Sequence, residues 1–105
     1  MNMDRKIYCV GDSMLPTLPK HGWVRVHFFK KRELKHLKVG DIVVYHSRGF
    51  TREGKPSFWQ KGNYVHRIVN LEDEYAYIKG DNRDYIEKVK LKDIHGILVD
   101  EYVPR

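Results

Sequence analysis

The sequence predicts a mainly β fold, a small folded sheet or partly open barrel with at most one short helix. Three observations carry this. Six short apolar stretches are separated by turn residues. Several of them alternate apolar and polar residues with the period of a half-buried strand. Helical periodicity is scarce. At 105 residues the chain has the size of one domain spanning 1–105.

The first stretch, Ile7-Tyr8-Cys9-Val10, stops at Gly11. Trp23-Val24-Arg25-Val26-His27-Phe28 alternates and reads as a strand with one buried face. Lys31 to Lys38 is the one helical candidate, with Leu34 and Leu37 on one face, and is too short to stand without tertiary packing. Ile42-Val43-Val44-Tyr45 is a continuous β-favouring run after Gly40-Asp41. Tyr64 to Val69 and Tyr75 to Ile78, joined by polar residues, form a hairpin pattern. Ile94 to Val99, interrupted by Gly96, reads as a closing strand. Ser47 to Asn63 carries three glycines and Pro56, and reads as the longest irregular stretch. Its Phe50, Phe58 and Trp59 suit either a binding loop or a flap closing the core edge.

Composition narrows the function. Twenty basic against 14 acidic residues give a net charge of +6. Such a charge suits an anionic partner, including peripheral contact with an anionic membrane, but it also serves plain solubility. The basic residues are dispersed, with Lys30-Lys31-Arg32 the one tight run, so no specific nucleic-acid partner is expected. No apolar run approaches the about 20 residues of a membrane span, and no secretion signal opens the chain. The single Cys9 excludes an intrachain disulfide. His21, His27, His36, His46, His66 and His95 show no close pair at ligand spacing, so neither a metal nor another cofactor is expected.

Three segments offer chemistry. In Gly11-Asp12-Ser13-Met14-Leu15-Pro16-Thr17-Leu18 a serine follows a strand within a Gly/Pro turn. Such a serine has an accessible hydroxyl and a backbone amide nearby, as a nucleophile needs, though turns use serine for their own hydrogen bonds as well. Val65-His66-Arg67-Ile68-Val69 sets a histidine in mid-strand, where packing alone would also account for it. Ile78-Lys79-Gly80-Asp81-Asn82-Arg83-Asp84 ends a strand in a Gly-Asp-Asn turn. Together they meet the requirement for a nucleophile, a base and an orienting carboxylate.

In their order along the chain, these segments resemble the signal peptidase I / LexA-type serine protease superfamily. Ser13-Met14-Leu15-Pro16-Thr17-Leu18 resembles the nucleophile box and Gly40-Asp41-Ile42-Val43-Val44-Tyr45 the box after it. Val65-His66-Arg67-Ile68 resembles the base box, Gly80-Asp81-Asn82-Arg83-Asp84 the one that follows, and Ile94-His95-Gly96 the final Ile-x-Gly strand. His66 stands where bacterial members carry lysine, as in the endoplasmic-reticulum and archaeal type. Gly11 stands where many signal peptidases carry a serine that assists the oxyanion hole. The resemblance implies a soluble-domain sheet of this protease type and a serine endopeptidase acting on an extended peptide or preprotein after small residues. Ser13 is then the nucleophile and His66 the general base. Asp81 is the orienting carboxylate, with Asp84 in reserve. Gly11, Met14 and Pro16 are the substrate-binding candidates, and Lys61 and Lys79 the alternative bases. Opposing effects of a nearby carboxylate and of burial lead to a His66 pKa within about one unit of the ordinary histidine value.

Anchored family members carry a transmembrane helix just before the serine box. The segment before Ser13 is short and charged, and the expectation is a cytoplasmic or membrane-peripheral chain. Two other readings predict different behaviour. A basic β-barrel module binding nucleic acid would bind single strands in a salt-sensitive way and ignore loss of Ser13. A repressor-type self-cleaving domain needs a scissile segment upstream of Ser13.

Overall fold

The computed structural model describes residues 4–28, 30–50 and 56–102, with side chains described throughout these except at 31, 48–50, 56–63 and 100–102. Seven strands make one sheet: β1 (Asp4–Val10), β2 (His21–Phe28), β3 (Ile42–Phe50), β4 (Pro56–Leu71), β5 (Tyr75–Lys79), β6 (Glu87–Lys90) and β7 (Ile94–Tyr102). Their spatial order is β1-β2-β7-β3-β4-β5-β6, and every pairing is antiparallel. The sheet curls into a half-barrel, which brings β6 back against β3. The mainly β expectation holds. The helical candidate is a 3-10 turn at Lys31–His36, and a second one spans Leu91–Asp93. Among the described residues no helix is long and apolar enough to cross a membrane.

The curl splits the core in two. One cluster gathers Val43, Tyr45, Ile68, Ala76, Ile78, Val89 and Ile94, and Leu34 and Leu37 of the first 3-10 turn pack against it. The other gathers Met14, Leu18, Val24, Val26 and Val44. Strand β3 alternates between them, since Val43 and Tyr45 face the first cluster and Val44 the second. This is why Ile42-Val43-Val44-Tyr45 is apolar without interruption: a strand covered on both faces has no solvent side to mark with polar residues. Met14 and Leu18 anchor the Gly/Pro turn in the second cluster, so the turn is fixed by burial as well as by its own hydrogen bonds.

Three elements depart from the sequence reading. The stretch 47–63 is largely ladder, with Ser47 opposite Gly62, Arg48 opposite Lys61 and Phe50 opposite Pro56. Gly49 falls at a register shift between Arg48 and Phe50, and Pro56 opens β4, a position where a strand tolerates the missing N–H. Residues 51–55, and the side chains of Phe50, Phe58, Trp59 and Lys61, lie outside the described residues. Strand β6 is an addition, because Glu87-Lys88-Val89-Lys90 is mostly charged. It keeps a period of two even so, with Glu87 and Val89 buried between more open lysines. The closing strand β7 lies in the middle of the sheet, between β2 and β3.

Candidate active site

Strand β1 ends at Val10, and Gly11 turns the chain with φ +99°, a conformation that glycine adopts without strain. The turn that follows hydrogen-bonds Leu15 N–H to the Asp12 carbonyl and Leu18 N–H to the Met14 carbonyl. The N–H groups of Ser13 and Met14 are not used by it. Ser13 is half-buried. Its Oγ lies 3.0 Å from Nε2 of His66, 53 residues along the chain. That is hydrogen-bond reach for a nucleophile and its base.

His66 lies in mid-β4 opposite Val43 and is 3% exposed. Its ring packs against Tyr64 and Tyr45, with centroids 5.5 and 5.9 Å away. Burial drives its pKa down to about 4, with the Arg83 guanidinium acting in the same direction and the Asp81 carboxylate against it. The expectation of a pKa within about one unit of the ordinary value is therefore corrected, because desolvation outweighs the pull of the Asp81 carboxylate. At neutral pH the imidazole is uncharged and free to accept a proton.

The orienting carboxylate also needs correction. Asp81 accepts from Arg67 through both oxygens, Nε to Oδ1 and Nη2 to Oδ2, each at 2.9 Å. Thr17 Oγ1 donates to Asp81 Oδ2 as well. These bonds hold the Asp81 carboxyl below its usual range, with Arg67 the leading cause. The second His66 nitrogen, Nδ1, instead lies 2.9 Å from the Tyr45 hydroxyl. That hydroxyl donates to Glu87 Oε1 at 3.0 Å, and Ser47 donates to Glu87 Oε2. Asp84 is exposed, away from this arrangement.

The Gly80–Asp84 turn has a different task, which is to clamp the serine turn. Asn82 N–H donates to the Ser13 carbonyl at 2.7 Å, and Asn82 Nδ2 to the Asp12 carbonyl at 3.0 Å. Arg83 pairs with Asp12, and Asp81 N–H points at Met14 Sδ at 3.3 Å. Arg67 completes the frame by donating to the Gly40 carbonyl at 2.9 Å while it holds Asp81. Arg67, the residue beside His66, thus ties Gly40 to the Gly80–Asp84 turn. Lys79 Nζ donates to the Gly80 carbonyl, so this alternative base is engaged elsewhere.

Beside Ser13 runs a groove of about 360 Å³. Ile7 and Cys9 of β1 form one wall, Val44, Tyr64 and Val65 the other, and Gly11 and Met14 lie along it with Ser13. Pro16, joined to Leu15 by a cis peptide, is exposed and does not line this groove, unlike the other two substrate-binding candidates, Gly11 and Met14. Strand β1 is the sheet's edge, paired with β2 on one side and bordering the groove on the other.

Tyr45 and Glu87 are the site residues that the sequence reading passed over. Their signals were present: a tyrosine ending a fully buried run needs a partner for its hydroxyl, and a carboxylate occupied an inward position of a period-two pattern. Compared with known protein families, curated proteins and solved structures, the chain finds no match.

Proposed function

We propose that this chain is a serine endopeptidase with Ser13 as nucleophile and His66 as general base, working on an extended peptide after small residues as signal peptidases do. The observation that supports it is the 3.0 Å approach of Ser13 Oγ to a buried, neutral His66 at the end of a groove beside an edge strand. A peptide in the groove adds to β1 by main-chain hydrogen bonds, and its alternate side chains enter the groove. A groove of about 360 Å³ is small for a ligand site and favours small side chains there.

Ser13 Oγ attacks the scissile carbonyl carbon while His66 Nε2 takes its proton. Negative charge gathers on the carbonyl oxygen, and the N–H groups of Ser13 and Met14, which the turn's own hydrogen bonds leave unused, are the candidate donors for it. Collapse breaks the C–N bond, and His66 returns the proton to the leaving amine. Water, activated by the same imidazole, then hydrolyses the acyl-serine ester.

A peptide ester ending in Ala-x-Ala with a good leaving alcohol tests this. Its acyl group should appear on Ser13 in the mass of the intact protein, and an Ala-x-Ala peptide should be cut after the second alanine. Failure of both reactions overturns the proposal.

Gly80→Ala probes the fit of the clamp. A methyl group there would lie 2.8 Å from the Ser13 carbonyl oxygen and 3.2 Å from His66 Nε2. The serine turn and the imidazole must separate to admit it, and kcat/KM should fall about 100-fold with the strand signature in circular dichroism unchanged.

A further inference from the structure

We propose that Glu87, acting through the Tyr45 hydroxyl, fixes His66 as the tautomer with its proton on Nδ1, so that a buried Tyr–Glu pair takes the place of the carboxylate that orients the base. This rests on the peptidase reading above for its consequence, but the proton arrangement follows from geometry alone.

The Tyr45 hydroxyl has one proton to give and oxygen lone pairs to accept with. Two groups lie within hydrogen-bond reach of it, His66 Nδ1 at 2.9 Å and Glu87 Oε1 at 3.0 Å. A hydroxyl that gives its proton to Glu87 must meet His66 as an acceptor, so Nδ1 carries N–H. The bare lone pair of the ring is then on Nε2, facing Ser13 Oγ. In the opposite arrangement Tyr45 donates to Nδ1, Nε2 carries the proton, and the ring has nothing with which to take the serine's. Glu87 decides between the two as a carboxylate, which only accepts: burial pushes its pKa up, but the Tyr45 and Ser47 hydroxyls that donate to its two oxygens favour the charged form.

The surroundings support that choice. Tyr45 and Ser47 are fully buried and Glu87 is 3% exposed, so no bulk water competes for these bonds. Ser47 donates to the other carboxyl oxygen, Oε2, which reserves Oε1 for Tyr45. All three residues lie on neighbouring strands, Tyr45 and Ser47 two apart on one face of β3 and Glu87 on β6, which the curl of the sheet brings against β3. Burial pushes the Tyr45 hydroxyl's pKa upward, with the Glu87 carboxylate adding to it, so the phenol keeps its proton at every pH where the protein works. Tyr45 and Glu87 are positioning residues, since neither touches the serine or the substrate groove.

The imidazole nitrogens report the arrangement directly. In protein labelled with ¹⁵N-histidine, proton-bearing and bare nitrogens have widely separated shifts, and the signals lost in His66→Gln assign the ring. At pH 7 the wild type should show Nδ1 protonated and Nε2 bare. Glu87→Met keeps the volume but removes the acceptor, and should move the proton to Nε2. Tyr45→Phe should do the same. For peptide cleavage each variant should lower kcat about 10²–10⁴-fold with KM within twofold, the scale on which a mis-set tautomer costs a Ser–His enzyme. The double variant should be no slower than Tyr45→Phe alone, because Glu87 acts through Tyr45. A wild-type ring with its proton on Nε2 overturns the proposal, and so does an unchanged tautomer in Glu87→Met. If Glu87→Met fails to fold, the wild-type spectrum and Tyr45→Phe still decide. A wild type that shows Nδ1–H but cleaves no peptide sinks the peptidase reading and leaves the tautomer assignment standing. A wild type that cleaves peptide with Nε2 protonated does the reverse.

Discussion

Ser13→Ala should lower kcat/KM for an Ala-x-Ala peptide by about 10⁴–10⁶-fold, the range over which losing the nucleophile disables a serine protease. The change removes one oxygen. The clamp on the serine turn survives it, since Asn82 bonds the backbone carbonyl of residue 13 and Met14 and Leu18 keep their buried places. Thermal unfolding should move by about 1 kcal/mol in stability, the cost of the one hydrogen bond to His66 Nε2 that the change removes. His66→Gln should cost a comparable factor in activity, and the double variant no more than the worse single one, because the two groups perform one step together. His66→Ala is the poorer probe: it opens a cavity beside Tyr45 and leaves that hydroxyl without its ring partner. Rates would be taken from mass-resolved cleavage and stability from thermal melts of the same preparations. Undiminished cleavage by purified Ser13→Ala would end the serine mechanism.

What the sequence disclosed about this site follows from how far each interaction reaches. Ser13 and His66 were legible because each carries its setting with it, a glycine–proline turn after a strand for one and an apolar strand centre for the other. The pairing of 13 with 66 then came from the resemblance, and the 3.0 Å separation agrees with it. The orienting group was misread for a physical reason. Asp81 looked free to face the histidine because the sequence does not show that Arg67, the histidine's neighbour, turns its guanidinium onto both carboxylate oxygens. Successive side chains of a strand point to opposite faces, so Arg67 reaches the clamp while His66 enters the core. Tyr45 and Glu87 meet across 42 residues and through the curl of the sheet, which no local pattern encodes. The fold class was easier, since turns and strand periods are local. Strand β6 and the long β3–β4 ladder were lost because charge and glycine masked a pairing that only the neighbouring strand supplies.

The depth of His66 sets the second large effect, on pH. With its pKa at about 4 rather than the ordinary 6.5, the ring stays a competent base in mildly acidic solution. At pH 5.5 a histidine titrating at 6.5 would retain about a tenth of its plateau activity, whereas one titrating near 4 retains nearly all of it. The acid limb of kcat/KM should accordingly fall at about pH 4–5. Stability runs against this. The folded ring resists a proton that the unfolded chain binds readily, so between pH 6.5 and about 4 the unfolded state holds the extra proton and gains. This contribution is absent above pH 6.5, grows as pH falls to about 4, and is constant below, reaching about 3 kcal/mol for a shift of this size. The proposed activity should thus persist down to the pH range in which this contribution most weakens the folded state. Initial cleavage rates from pH 4 to 8, with substrate ionisation controlled and the folded fraction followed by circular dichroism, separate the two effects. An acid limb at pH 6–7 while the protein is fully folded would mean that His66 titrates as an open, hydrated ring, and the buried base described here would be wrong. A limb above pH 8 that persists in His66→Gln would pass the proton to a lysine.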